Sequence, residues 1–143
     1  MKTTNRIAMV LAAALGLGST GLFAQNKLIV NVPFDFTVKA TRMPAGEYEV
    51  NRNFSAPDQI QISSLKQGES VLVSTFRAHL NEPGTETPRL VFHRYGNRYF
   101  LSEVWTADGI ESQAMPGKLE KEAQAMETHE HASPVDVAIA GTR

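Results

Sequence analysis

His93 is the histidine with the clearest opportunity for acid–base chemistry, because Glu103 follows on the next predicted strand. A histidine and a carboxylate can exchange a proton when their side chains lie within hydrogen-bond reach. The predicted register, however, puts Glu103 on the face of Phe92 and Leu101, away from His93. We therefore interpret His93 as structural, and the sequence predicts no catalytic residue.

A second group of reactive side chains follows the predicted helix near the C-terminus, and its members are Glu127, His129, Glu130 and His131. Two histidines separated by one residue, beside carboxylates, can bind Zn²⁺ or Cu²⁺ weakly. Their spacing is not that of a closed structural site, so we interpret the group as a solvated charge run. Metal binding by His129 and His131 is the alternative, and no cofactor is expected.

The chain lacks the short motifs of common enzymes. It contains no Gly-x-Ser-x-Gly, no His-Glu-x-x-His and no phosphate-binding glycine loop. It also has no cysteine, which excludes thiolate chemistry and disulfide bonds. The sequence therefore predicts a protein that is not an enzyme, with a small hydrolase of unrecognised site as the alternative.

Residues 1–24 have the pattern of a secretory signal peptide. Lys2 and Arg6 are followed by an apolar run and then by small residues. Cleavage is expected after Ala24, with Gly21 as the alternative site. The apolar run is shorter than the roughly 20 residues that a bilayer needs, so no stable membrane anchor is expected after cleavage. The predicted location is the periplasm or the cell exterior.

Composition indicates one globular domain, since the 143 residues are 42% hydrophobic and 20% charged. Without the two basic residues of segment 1–24, the chain has 12 basic and 15 acidic residues, which gives a formal net charge of −3. Arginines among aromatic residues can form a nucleic-acid platform. Here we interpret Arg94 with Tyr99, and Arg98 with Tyr95, as cation–π pairs. No nucleic-acid partner is expected for this acidic chain.

The segment from Leu90 to Trp105, called the central hairpin below, is predicted to turn at Gly96-Asn97. Glycine at the first central position suits a type II′ turn, which needs φ > 0 there. The opposed pairs are then Tyr95 with Arg98, Arg94 with Tyr99, His93 with Phe100 and Phe92 with Leu101. The predicted core face carries Leu90, Phe92, Tyr99, Leu101 and Trp105. The second face carries Val91, His93, Tyr95, Phe100 and Val104, which is too apolar for free solvent.

Other segments also predict strands. Apolar residues alternate with polar ones over 28–38, with a possible break at Pro33, and again over 47–50 and 59–63. Segment 70–78 is also predicted to be a strand, with both faces largely apolar as in a central strand. A hairpin over 34–51 is expected, with Tyr48 and Val50 beside Phe34, Phe36 and Val38. Six to eight short strands without intervening helices predict a mainly β fold, an antiparallel sandwich or small barrel, over residues 25–110.

The composition changes after residue 110. Pro116 can open a helix that runs to about Glu127, with Leu119, Ala123 and Met126 on one face. Because so short a helix is marginal alone, segment 111–128 is expected to dock on the sheet. The remaining residues, 129–143, are predicted to be a flexible tail.

Two motifs carry a family resemblance: Val32-Pro-Phe-Asp-Phe-Thr-Val38 leading into Pro-Ala-Gly-Glu-Tyr-Glu-Val50, and Leu90-Val-Phe-His-Arg-Tyr-Gly-Asn-Arg-Tyr-Phe-Leu101 leading to Val104-Trp105. They resemble a family of small exported bacterial proteins, each with a signal peptide and one β-rich domain. The resemblance covers about Asn31 to Trp105 and implies export and a β fold. It implies no activity, cofactor or partner.

The predicted function is a non-catalytic binding or structural module of the cell envelope or exterior. Its partner would be a protein, a glycan or a small ligand, bound on the second face of the central hairpin. The candidate residues are Val91, His93, Tyr95 and Phe100, with Arg98 at the rim. Alternatively, the C-terminal helix covers this face and the aromatic rings form a second layer of core.

Overall fold

The computed structural model describes residues 27–52, 55–80, 87–106, 108–130 and 135–141. The strands are β1 (Lys27–Val32), β2 (Phe36–Val38), β3 (Thr41–Met43), β4 (Gly46–Arg52), β5 (Gln59–Ser64), β6 (Ser70–Leu80), β7 (Arg89–Tyr95), β8 (Arg98–Trp105), β9 (Ile110–Ala114) and β10 (Val135–Ala140), and the helix is α1 (Lys118–Glu130). The predicted signal peptide, residues 1–24, lies outside the described residues. Among those described, no helix is long and apolar enough to cross a membrane.

The strands form one mixed sheet. Its order is β1-β4-β5-β6-β9-β8-β2-β3, and β7 joins the other edge of β8 and carries β10 beyond it. Neighbouring strands are antiparallel except β2 and β8, which run parallel where Thr37 lies opposite Phe100. The predicted mainly β fold with a C-terminal helix is confirmed, and the sheet is not closed into a barrel.

Strand β6 belongs to both halves of the sheet. Its first residues pair with β5 and its later residues pair with β9. The two halves enclose an apolar core. There Phe36 contacts Tyr48 of the opposite half, with ring centroids 5.1 Å apart, and Phe36 also contacts Phe92 at 5.2 Å. One face of each of the alternating segments therefore lines this main core.

The predicted strand over 28–38 is broken at Pro33, which was one of the alternatives expected from the sequence. The break separates β1 from β2. Strand β1 pairs with β4, so that Val30 lies opposite Tyr48. Strand β2 pairs with β3 instead. The predicted hairpin over 34–51 is therefore wrong. Proline cannot donate a ladder hydrogen bond, and at this position the chain leaves one half of the sheet and enters the other.

The central hairpin has the predicted register from its turn to the pair of Phe92 with Leu101. Gly96 has a φ of 60°, the positive value that the first position of a type II′ turn requires. The helix predicted near 117–127 is α1. Strand β9 carries the sheet beyond residue 110, the predicted end of the β-rich segment.

The last strand, β10, lies within segment 129–143, for which a flexible tail was predicted, and corrects that prediction for Val135–Ala140. It pairs along β7, with Val135 opposite Arg94 and Ala140 opposite Arg89. The apolar alternation in this segment covers only a few residues, so the sequence pattern did not predict a strand here. The second edge of β7 would otherwise present unpaired N–H and C=O groups, and β10 satisfies them.

Candidate functional site

Helix α1 covers the second face of the central hairpin. Tyr95 and Phe100 form an apolar cluster with Ala123, and Leu119 packs against it. The predicted third contact, Met126, is 66% exposed. The helix therefore docks through its N-terminal half, and these contacts stabilise a helix that is short for independent stability.

The candidate binding residues are consequently divided between interior and surface. Val91, Tyr95 and Phe100 are buried, His93 is half-buried and Arg98 is exposed. The sequence left two alternatives for this face, an open binding surface and a layer of core covered by the C-terminal helix. The contacts of Tyr95 and Phe100 with the helix agree with the second alternative. Ligand binding itself stays a prediction, and Arg98 is the candidate that still faces solvent.

A β-bulge at Ser102 reverses the predicted faces beyond it. Two residues of β8 oppose one residue of β7 at this point, which turns both bulge side chains to the same side. Val104 consequently joins the main core. Glu103 and Trp105 move to the second face, where Trp105 Nε1 donates to Glu103 Oε2 at 2.8 Å. The Arg89 guanidinium lies 4.3 Å from the centroid of the Trp105 ring.

His93 has a carboxylate partner, but it is Glu120 and not Glu103. Nδ1 of His93 lies 2.8 Å from Glu120 Oε1, and Nε2 lies 2.9 Å from the Ser102 hydroxyl oxygen. The Tyr95 hydroxyl donates to the same Glu120 oxygen at 3.5 Å. These contacts connect β7, β8 and α1 in one polar chain between apolar clusters.

The sequence analysis did not predict Glu120 or Ser102 as site residues, although the spacing of each to a neighbouring residue gives an indication of its position. Glu120 precedes Ala123 by three positions, which places both on one helix face. Ser102 follows Phe100 by two positions and therefore shares its face of the strand. Neither spacing identifies His93 as the common partner. The Glu120 contact depends on how the helix docks, and the Ser102 contact depends on the bulge in β8.

A cleft of about 400 Å³ opens beside the helix-covered face. It is bounded by the β2–β3 segment, the turn of the central hairpin and the start of α1. Its lining residues are Asp35, Phe36, Thr37, Arg42, Asn97, Arg98, Tyr99 and Leu119. A volume of this size falls within the range of small-ligand sites, which combine apolar walls with a few polar groups.

One wall of the cleft carries a closed ion pair. Arg42 Nη2 lies 3.0 Å from Asp35 Oδ2, and Asp35 Oδ1 accepts a hydrogen bond from the Ala45 amide at 2.9 Å. The Ala45 amide and the Arg42 guanidinium hold the pKa of Asp35 below its ordinary value. The pair therefore contributes little net charge to the cleft.

Arg98 supplies the unbalanced positive charge. Its guanidinium lies 5.2 Å from the centroid of the Phe100 ring, whereas the sequence predicted a cation–π contact with Tyr95. No carboxylate among the described residues forms an ion pair with Arg98. Arg98 also lines a second cavity of about 120 Å³ between the hairpin and α1. Glu127 lines that second cavity as well, without an ion pair to Arg98. Within the described part of the chain, Arg98 is therefore the lining cation of the cleft that is not held in an ion pair.

The predicted metal ligands fall largely beyond what the structure describes. His131 lies outside the described residues, and the side chains of His129 and Glu130 are not described. Within the described residues, no group of three potential ligands could hold a metal ion. Metal binding by the C-terminal histidines stays a prediction.

Comparison of the chain with protein-family models, with curated proteins and with solved structures found no match. The geometry of the cleft and of the Ser102–His93–Glu120 chain is therefore the basis on which a function is assigned.

Proposed function

We propose that this protein is an exported binding module whose cleft takes a small anionic ligand with an apolar part. The observation that carries the proposal is the charge distribution of the cleft. Arg98 is exposed and forms no ion pair with a carboxylate of the described residues, whereas Arg42 is paired with Asp35. A ligand anion would restore the balance and would form charge-assisted hydrogen bonds with the guanidinium.

The other walls of the cleft support the same ligand class. Leu119 and the Tyr99 ring offer apolar contact, and Tyr99 is held in place by stacking on Phe34 with centroids 3.8 Å apart. The Asn97 amide and the Thr37 hydroxyl add neutral hydrogen-bonding groups. An aromatic or short aliphatic group bearing a carboxylate or phosphate has the matching polarity.

The exported location is supported by the signal-peptide pattern of residues 1–24 and by the family resemblance, which also implies export. In the periplasm or outside the cell, a small binding module would meet ligands that diffuse freely. The absence of cysteine leaves the module independent of disulfide formation.

Nuclear magnetic resonance can test the proposal with phenyl phosphate as the anionic probe and benzyl alcohol as the neutral control. We expect phenyl phosphate to shift the backbone amide signals of Thr37, Asn97, Arg98 and Leu119. Benzyl alcohol, which keeps the ring and lacks the charge, should cause much smaller shifts. Equal shifts with both probes, or shifts confined to other parts of the sheet, would contradict an anion site in this cleft.

A further inference from the structure

The polar chain Ser102–His93–Glu120 lies outside the lining of the cleft. The Ser102 hydroxyl oxygen is 2.9 Å from His93 Nε2, and His93 Nδ1 is 2.8 Å from Glu120 Oε1. A hydroxyl on Nε2 and a carboxylate on Nδ1 form the arrangement in which an imidazole removes a proton from a serine. We propose that Ser102 is the nucleophile of an acyl-transfer site, with His93 as its base and Glu120 as the positioning residue.

The contacts of His93 with Glu120 and Ser102 favour one tautomer of the imidazole. A carboxylate oxygen accepts hydrogen bonds, so the neutral imidazole carries its proton on Nδ1, facing Glu120. Nε2 then presents a lone pair, and the Ser102 hydroxyl donates to it. This is the protonation pattern in which Nε2 can receive the serine proton.

The fold holds the three side chains in a restricted environment. Ser102 is the residue of β8 without a ladder partner at the bulge, and bulges are a common means of aiming a side chain at a site. Glu120 is buried at the start of α1, and Ser102 is 9% exposed. The His93 side chain is 31% exposed and provides the approach from solvent. With so little room at Ser102, the substrate class is esters of short acyl chains.

The reaction needs no group beyond these side chains and water. Ser102 Oγ bonds to the ester carbonyl carbon, and its proton moves to His93 Nε2. The carbon–oxygen bond to the leaving alcohol then breaks, and that oxygen takes the proton from Nε2. Water attacks the acyl-serine, gives one proton to Nε2, and the proton returns to Ser102 Oγ as the acid leaves. The sum is ester plus water to acid plus alcohol.

A fluorophosphonate probe tests the nucleophile directly, because attack by serine forms a stable phosphorus–oxygen bond and releases fluoride. We expect mass spectrometry of the labelled, purified protein to place one phosphonate on Ser102. Ser102→Ala should abolish labelling, whereas Ser63→Ala, a half-buried serine on β5, should label like wild type. His93→Gly should slow labelling by about 100-fold or more, and added imidazole should restore part of the rate.

Glu120→Gln tests the positioning role. The amide can donate to Nδ1, which would move the imidazole proton to Nε2 and remove the acceptor for Ser102. We expect the ¹⁵N signals of His93 to report this change of tautomer and labelling to fall by about 100-fold or more. An unlabelled wild-type protein, or labelling that persists in Ser102→Ala, would overturn the proposal and leave the three residues as a structural hydrogen-bond chain. Binding of phenyl phosphate in the cleft should persist in Ser102→Ala.

Discussion

Nδ1 of His93 lies 2.8 Å from Oε1 of Glu120, and this contact joins strand β7 to the first turn of helix α1. Glu120 is buried at this position and also accepts a hydrogen bond from Tyr95. A carboxylate in the first turn interacts favourably with the helix dipole as well. The helix is therefore held on the sheet by a polar contact beside its apolar one.

Replacement of Glu120 by alanine should measurably destabilise the fold. Loss of hydrogen bonds to a charged group typically costs about 1.5 to 3 kcal/mol, and urea denaturation would give the free energy of unfolding. Glu122→Ala is the matched control on the same helix, because Glu122 is half-exposed and pairs with Lys118 at 3.8 Å. That change should cost less than about 0.5 kcal/mol. Equal losses of unfolding free energy in both variants would show that Glu120 does not stabilise the docking of the helix on the sheet.

Gly117 should not tolerate a side chain. A Cβ built on it would lie 2.8 Å from the carbonyl oxygen of Lys39, which is backbone and cannot rotate away. We expect Gly117→Ala to lower the melting temperature, with a loss of about 1 to 3 kcal/mol in unfolding free energy. At Gly46 a Cβ would meet nothing within 4 Å, so Gly46→Ala should change stability by less than about 1 kcal/mol.

The architecture could be predicted from the sequence where local rules decide it. Gly96 specifies the turn, and the turn determines the register down to the pair of Phe92 with Leu101. The bulge at Ser102 could not be predicted, because an extra residue in a ladder leaves no local pattern, and it moved Val104 and Trp105 to opposite faces from those expected.

The candidate site was harder to predict than the fold. Glu120 reaches His93 across 27 residues of sequence, and that contact exists only once the helix has docked. The cleft likewise depends on the parallel contact of Thr37 with Phe100, a pairing between distant segments that alternation does not reveal. Arg98 was expected at the rim of the second face of the central hairpin, whereas the structure places it in the lining of the neighbouring cleft.

Acid should weaken the segment around Asp35. Because the pKa of Asp35 in the folded protein is held below its ordinary value of 3.8, the ionised carboxylate contributes stability above that pH. This contribution is lost as the pH falls through the lowered pKa. We expect the melting temperature of wild type to fall more steeply than that of Asp35→Asn between about pH 4 and pH 2. Parallel curves for the two proteins would contradict the role of Asp35.

The same substitution should strengthen anion binding. Asp35→Asn removes the negative charge from the wall of the cleft and releases Arg42 from its ion pair. Because Asp35 is exposed and its charge is screened by water, we expect only a modest decrease of the dissociation constant, on the order of a few-fold. Calorimetric titration with phenyl phosphate at neutral pH would measure the change, and weaker binding by the variant would contradict the assigned polarity of the site.

The most direct measurement is the dissociation constant for phenyl phosphate in wild type, Arg98→Gln and Arg94→Gln. Both variants lose one positive charge from the same hairpin, and both arginines are exposed, but Arg98 lines the cleft and Arg94 does not. Loss of a charge-assisted hydrogen bond should weaken binding by about 10-fold or more in Arg98→Gln. Arg94→Gln should bind within about 2-fold of wild type, because Arg94 does not line the cleft and its exposed charge is screened by water and salt. Absence of binding to wild type, or equal weakening by the two variants, would contradict an anion site organised by Arg98.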